Sequence, residues 1–187
     1  MAQNIPLTVE SAMVENFGIL VAYGQQSVQP PSLQPNQYWF VVFDRSSLNV
    51  VYNVASGDGT SVPNGLAQYN TDQYILVLTT YVLSIVNLPQ GDLYDFLIDN
   101  GAGRQLNRLI QINNQIGCGQ IGSLAYALVA VLGNVDQGFE ASQIPQTIMI
   151  NATTFGVTAG PGPILTLTLM PVVVGGQISW TPIDLAD

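Results

Sequence analysis

The stretch from Tyr38 to Ser56, YWFVVFDRSSLNVVYNVAS, constrains the fold more than any other, because two apolar runs there flank a short polar turn. Trp39-Phe40-Val41-Val42-Phe43 is aromatic or β-branched throughout, Asp44-Arg45-Ser46-Ser47 carries turn chemistry, and Leu48 to Val54 resumes with partial alternation. The pattern predicts a β-hairpin. Gln73 to Thr80 (QYILVLTT) is apolar on both faces, which predicts a central strand. Ser123 to Gly133 (SLAYALVAVLG) reads as another buried strand, and Phe17 to Tyr23, ended by Gly24, as one more.

Between these runs the signals change. Gln25 to Gln37 carries Pro30, Pro31 and Pro35 and predicts an extended loop, since each proline removes a ladder donor and restricts its predecessor; a proline-rich ligand for an aromatic groove is the functional alternative. Gly57 to Asn64 predicts a turn-rich loop, and it lacks the Gly-Lys-Ser/Thr ending of a phosphate loop. A short helix is expected over 65–70. After Pro89, Leu93, Phe96 and Leu97 recur at i, i+3, i+4, predicting a helix with Asp92 and Asp95 near its positive end. Asn100 to Gly103 breaks it. A second helix is predicted over about 104–116, with Leu106, Leu109, Ile110 and Ile112 inward and Arg104 and Arg108 sharing an outer face. Asp99 beside that pair reads as an ion-pair partner or, alternatively, as part of an anion site.

The two ends differ from the middle. Residues 1–16 show no clear period and are expected to be an arm or edge strand. Residues 134–142 read as a loop. Gln146 to Val157 and Ile164 to Val174 alternate in places with period 2 around Gly160-Pro161-Gly162-Pro163, predicting a separate β-hairpin extension that runs on to Trp180. The chain is therefore divided into an arm (1–16), one domain (17–142) and a C-terminal β extension (143–187). At 187 residues it can bury one core and is too short for two ordinary domains.

Charge then limits function. Only 8% of residues are charged, against about 25% in a typical soluble domain, while mean hydropathy is +0.32. Burial in lipid is disfavoured: the longest apolar candidate, Tyr74 to Leu88, is interrupted by Thr79, Thr80, Ser84 and Asn87 and falls short of the roughly 20 residues a span needs. The N-terminus has no basic segment and carries Glu10 and Glu15, so a secretory signal is not expected. Burial against other protein copies remains, since interface cores are depleted of charge. There is no Lys, the residue that commonly blunts exposed strand edges, and the cations are Arg45, Arg104 and Arg108. A compositional habit of the source organism is the plainer alternative. A net charge of −9 argues against direct nucleic-acid binding and against anionic membranes.

Catalytic and metal chemistry find few residues to use. There is no His, and the one cysteine, Cys118, lies between glycines with no base to activate it and no second cysteine to bridge. The close carboxylate pairs are Asp92 with Asp95 and Asp136 with Glu140, which read as helix-end or loop charges. Two ligands at Asp136 and Glu140 are too few to define a cation site. Asn151-Ala152-Thr153 matches the N-glycosylation pattern without a secretory context. No catalytic residue, cofactor or metal is expected.

The order strand, hairpin, strand, helix, helix, strand across 17–142 resembles the interleukin-like EMT inducer (ILEI/PANDER) domain. WFVVFDRSSLNVVYNVAS is similar to its opening hairpin, LAQYNTDQYILVLTT to its short helix and following strand, GDLYDFLIDNGAGRQLNRL to its helical segment, and AYALVAVLGNVDQGFEAS to its final strand, Gly turn and Phe-Glu element, here Phe139-Glu140. The likeness covers about two thirds of the chain; it lacks the cysteine pairs of secreted animal members, which points away from cytokine-like signalling. It implies an α+β fold of two curved, mostly antiparallel β-sheets flanked by short helices, and no catalytic residues. Such domains also occur in virion proteins of large bacteriophages and in bacterial surface proteins.

The expectation that follows is a non-enzymatic bacteriophage virion component, a capsid decoration or a tail or neck protein, forming homo-oligomers and contacting other virion proteins. The alternative is a carbohydrate-binding or adhesion module of a bacterial or phage surface protein, because an ILEI-like domain in an animal glycosyltransferase recognises sugar. Tyr23, Tyr38, Tyr94 and Trp180 are the candidate interaction residues, each able to stack on a partner or to pack in the core.

Overall fold

The computed structural model describes residues 3–116, 122–151, 154–158 and 161–185. Thirteen strands and two α-helices run in the order β1 (Ile5–Ala12), β2 (Leu20–Tyr23), β3 (Gln26–Ser27), β4 (Gln37–Asp44), β5 (Val50–Ser56), β6 (Tyr74–Tyr81), β7 (Leu83–Ser84), α1 (Gly91–Asp99), α2 (Arg104–Ile116), β8 (Ser123–Val131), β9 (Gly138–Gln143), β10 (Gln146–Asn151), β11 (Thr154–Thr158), β12 (Pro161–Val174) and β13 (Gln177–Ile183). Single 3₁₀ turns lie at Ala67–Tyr69 and Ile85–Asn87. Among the described residues no helix is long and apolar enough to cross a membrane.

The predicted hairpin forms as β4–β5, with Tyr38 opposite Ser56 and Phe43 opposite Val50. Its turn is organised by one carboxylate: Asp44 Oδ1 accepts hydrogen bonds from the backbone N–H and hydroxyl of both Ser46 and Ser47, at 2.6–3.0 Å. These bonds, the Ser46 hydroxyl foremost, hold the Asp44 carboxyl below its usual range despite some burial. On the other side β4 pairs antiparallel with β6, which pairs in turn with β8. Apolar residues on both faces of β4, β6 and β8 follow from layers on both sides. Tyr38, Phe40, Leu76, Leu78, Tyr126 and Leu128 share one cluster with Leu93, Phe96 and Leu97 of α1 and Leu106 and Leu109 of α2. Trp39, Val41, Val77, Ala127 and Val129 share the other with Leu7, Val9, Val21, Leu167 and Leu169.

The second layer is made by the chain ends. β1, expected as an arm or edge, pairs antiparallel with β12 along Ile5–Ala12 and with β2 along Leu7–Glu10. One parallel bridge, Ala12 to Tyr81, then joins β1 to β6. In place of two separate curved sheets, hydrogen bonding gives one mixed 11-stranded sheet that doubles over at this bridge. Side-chain hydroxyls fill the fork: Ser11 Oγ and Thr80 Oγ1 both donate to the Tyr126 carbonyl, at 2.6 and 3.2 Å, and Tyr126 N–H donates to Thr80 Oγ1 at 2.8 Å. Backbone groups at the fork thereby keep partners although the ladder ends there.

Several boundaries depart from expectation. Phe17 lies in a turn and is 41% exposed, so the strand expected over 17–23 begins at Leu20. The loop expected over 134–142 ends at Gly138, where β9 starts and pairs with β8. The segment expected to be a turn, Gly160 to Pro163, is strand from Pro161 on. There Gly162 and Pro163 together face Ser11 in a bulge, a position that tolerates proline. Gly162 comes so close to the Ser11 carbonyl that a Cβ would overlap it. Instead of one hairpin linking 146–157 to 164–174, there are two, β10–β11 and β12–β13. Cys118, its flanking glycines and the centre of the Asn151-Ala152-Thr153 pattern lie outside the described residues.

Candidate interaction surface

The two close carboxylate pairs sit in different surroundings. Glu140 is taken up as a helix cap: its Oε2 accepts from Gln105 N–H at 2.9 Å and its Oε1 from Leu106 N–H at 3.2 Å, satisfying free donors of the first turn of α2. Oε1 also accepts the Tyr126 hydroxyl at 2.6 Å. Burial, with the Glu140 charge second, pushes the Tyr126 phenol well above its ordinary value. Asp92, Asp95 and Asp136 are exposed, and among the described residues no three or more His, Cys, Asp and Glu side chains group as metal ligands. Asp99, Arg104 and Arg108 are all exposed.

The four candidate aromatics are dispersed. Tyr38 is fully buried under the helices and its hydroxyl donates to the Asn87 carbonyl, so it presents no surface. Burial, chiefly, drives its phenol far above the ordinary range. Tyr23 stands edge-on to Phe43 at 5.1 Å, and Trp180 packs half-buried against the second cluster. Tyr94 lines a cleft between α1 and α2, where its hydroxyl donates to Asn107 Oδ1 at 2.8 Å.

A different surface stands out by what it lacks. From Ala141 through Ile183 the sequence contains no Asp, Glu, Lys or Arg, although the whole chain carries a net charge of −9. This span supplies half of β9 and all of β10 to β13. Among the described residues, β10 and β11 form a two-stranded sheet of their own, paired to no strand of the larger sheet. Isolated two-stranded hairpins are marginal in water. At the far end of β12–β13, Val173 is 71%, Val174 62% and Ile178 43% exposed, beside the glycine turn Gly175-Gly176.

The middle of that hairpin is fixed. Arg45, in the turn between β4 and β5, donates from Nε to the Trp180 carbonyl at 2.7 Å, from Nη2 to Thr181 Oγ1 at 2.7 Å and from Nη1 to the Asp72 carbonyl at 2.5 Å. Trp180 N–H returns a bond to the Arg45 carbonyl at 2.8 Å. Desolvation lowers the Arg45 pKa, partly offset by Asp72. The guanidinium is thus a structural clamp rather than a free anion site. Its one legible signal was rarity, as one of three cations. Beyond the clamp the tip reaches past a gap of about 370 Å³.

Comparison with protein-family models gives no match, and comparison with curated proteins gives none either.

Proposed function

We propose that this chain is a non-enzymatic structural component of a bacteriophage virion, a capsid decoration or a tail or neck protein, that assembles with its own copies through charge-poor β surfaces. The observation that carries the reading is the uncharged span 141–183, folded into two hairpins, one with an exposed valine-rich tip and the other, among the described residues, paired only with itself. Copies with a net charge of −9 repel one another wherever acidic surfaces meet. The uncharged hairpins are where they approach at least cost, and interface cores share this depletion of charge.

The virion assignment rests on the ILEI-like resemblance of residues 17–142. Immunogold electron microscopy of particles from the source lysate tests it. Regularly spaced label on heads or tails is the expected result; label confined to cell surfaces or soluble debris would refute it.

A further inference from the structure

We propose that Asn64 is a self-modifying site, where the carboxamide is lost as ammonia and the backbone is rerouted through an isoaspartyl linkage. The reaction needs an asparagine whose following backbone nitrogen can reach its side-chain carbon, and a glycine in second place leaves no Cβ in the way. The chain has two such pairs, Asn64-Gly65 and Asn100-Gly101. The fold treats them in opposite ways.

Asn100 is fully buried and both ends of its carboxamide are held, Nδ2 donating to the Phe96 carbonyl at 2.8 Å and Oδ1 accepting from Gly133 N–H at 2.7 Å. The neighbouring nitrogen is held as well: Gly101 N–H donates to the Ile98 carbonyl at 3.1 Å, and the glycine lies against the Gly138 backbone. Asn64 and Gly65 are both exposed in the loop after β5. One backbone bond, from Leu66 N–H to the Pro63 carbonyl at 3.0 Å, closes the turn around them. Among the described residues neither the Asn64 carboxamide nor the Gly65 N–H has a hydrogen-bond partner.

Rotation about the Asn64 Cα–C bond brings the two groups together. The Gly65 nitrogen gives its proton to solvent base and bonds to Asn64 Cγ; the Cγ–Nδ2 bond breaks, and the leaving nitrogen takes a proton from water and departs as ammonia. Water then opens the cyclic imide, leaving aspartate if it attacks Cγ and isoaspartate if it attacks the backbone carbonyl. Either product adds a negative charge to a chain already at −9. Isoaspartate does more, because Tyr52 O–H donates to the Asn64 carbonyl at 2.9 Å, and that carbonyl becomes a free carboxylate while the main chain runs through Cγ. The tie between β5 and this loop is thereby recast, two residues before the fully buried Leu66. The chemistry is the chain's own and does not draw on assembly.

The test is peptide mass spectrometry, with electron-driven fragmentation to separate isoaspartate from aspartate, on the full chain aged in mildly alkaline buffer both folded and in urea. In the folded chain Asn64 should convert, with isoaspartate predominating, and Asn100 should lag roughly a hundredfold because its bonds must open first. In urea the lag should vanish. Asn64→Gln, whose longer side chain closes the ring poorly, should abolish the early release of ammonia. An Asn64 that keeps its amide in the folded chain, an Asn100 that converts as fast as Asn64 while folded, or ammonia release unchanged in Asn64→Gln would each overturn the proposal.

Discussion

The central strands β4, β6 and β8 and the tip of the hairpin β12–β13 are alike in sequence, both apolar and nearly free of charge, yet they differ in what covers them. Trp39, Phe40, Val41, Leu76, Val77, Leu128 and Val129 are fully buried, because helices lie on one face and the β1–β2–β12 layer on the other. Val173, Val174 and Ile178 have no such layer. In the centre, low charge is explained by the chain itself. At the hairpin tip the same composition lies on exposed side chains.

The widest separation between the two regions should appear in stability. Trp39→Ala removes a fully buried side chain and the bond from its indole N–H to Asn53 Oδ1, and should cost about 3–5 kcal/mol in urea unfolding. Val173→Asp, on the exposed tip, should change stability by less than about 0.5 kcal/mol. A tip substitution as costly as the core one would erase the distinction. Next in size is the seam that joins the regions: Gly162→Ala forces a methyl against the Ser11 carbonyl and should cost about 1–3 kcal/mol, measured by thermal unfolding. Smaller again, Glu140→Ala removes the cap of α2 and the partner of the Tyr126 hydroxyl, with an expected loss of about 1–2 kcal/mol and faster amide exchange in the first turn of α2.

The smallest effect is a pH effect in the β4–β5 turn. Serine hydroxyls and N–H groups hold the Asp44 carboxyl below its ordinary value, so its contribution is present above about pH 4 and is lost as pH falls through the lower folded value. Asp44→Ala should therefore lower the urea midpoint at pH 6 and converge with the unaltered chain near pH 2. An equal deficit at both pH values would mean that the carboxylate charge plays no part.

What was legible in the sequence follows the same division. β4, β5, β6, β8 and both helices were readable because their periodicity is local and their turn chemistry, at Asp44-Arg45-Ser46-Ser47 and Asn100 to Gly103, sits beside them. β1 was not, because its partners β12 and β6 lie far along the chain and a short strand carries no sign of which edge it will fill. The prolines of Gly160 to Pro163 suggested a turn, whereas the bulge opposite Ser11 admits them within a strand. For the candidate surfaces, aromatic type alone could not separate buried Tyr38 from cleft-lining Tyr94. Nor could composition show that the β12–β13 hairpin would divide into a clamped middle, held by Arg45, and an exposed tip.

Sedimentation velocity bears most directly on the claim that the uncharged hairpins join copies of this chain. The unaltered chain should sediment as an oligomer that high salt does not dissociate, since no charge pairs hold it, and the double variant Val173→Asp, Ile178→Asp should sediment as a folded 20.0 kDa monomer. An unaltered chain that remains a monomer at every concentration and salt would contradict the account.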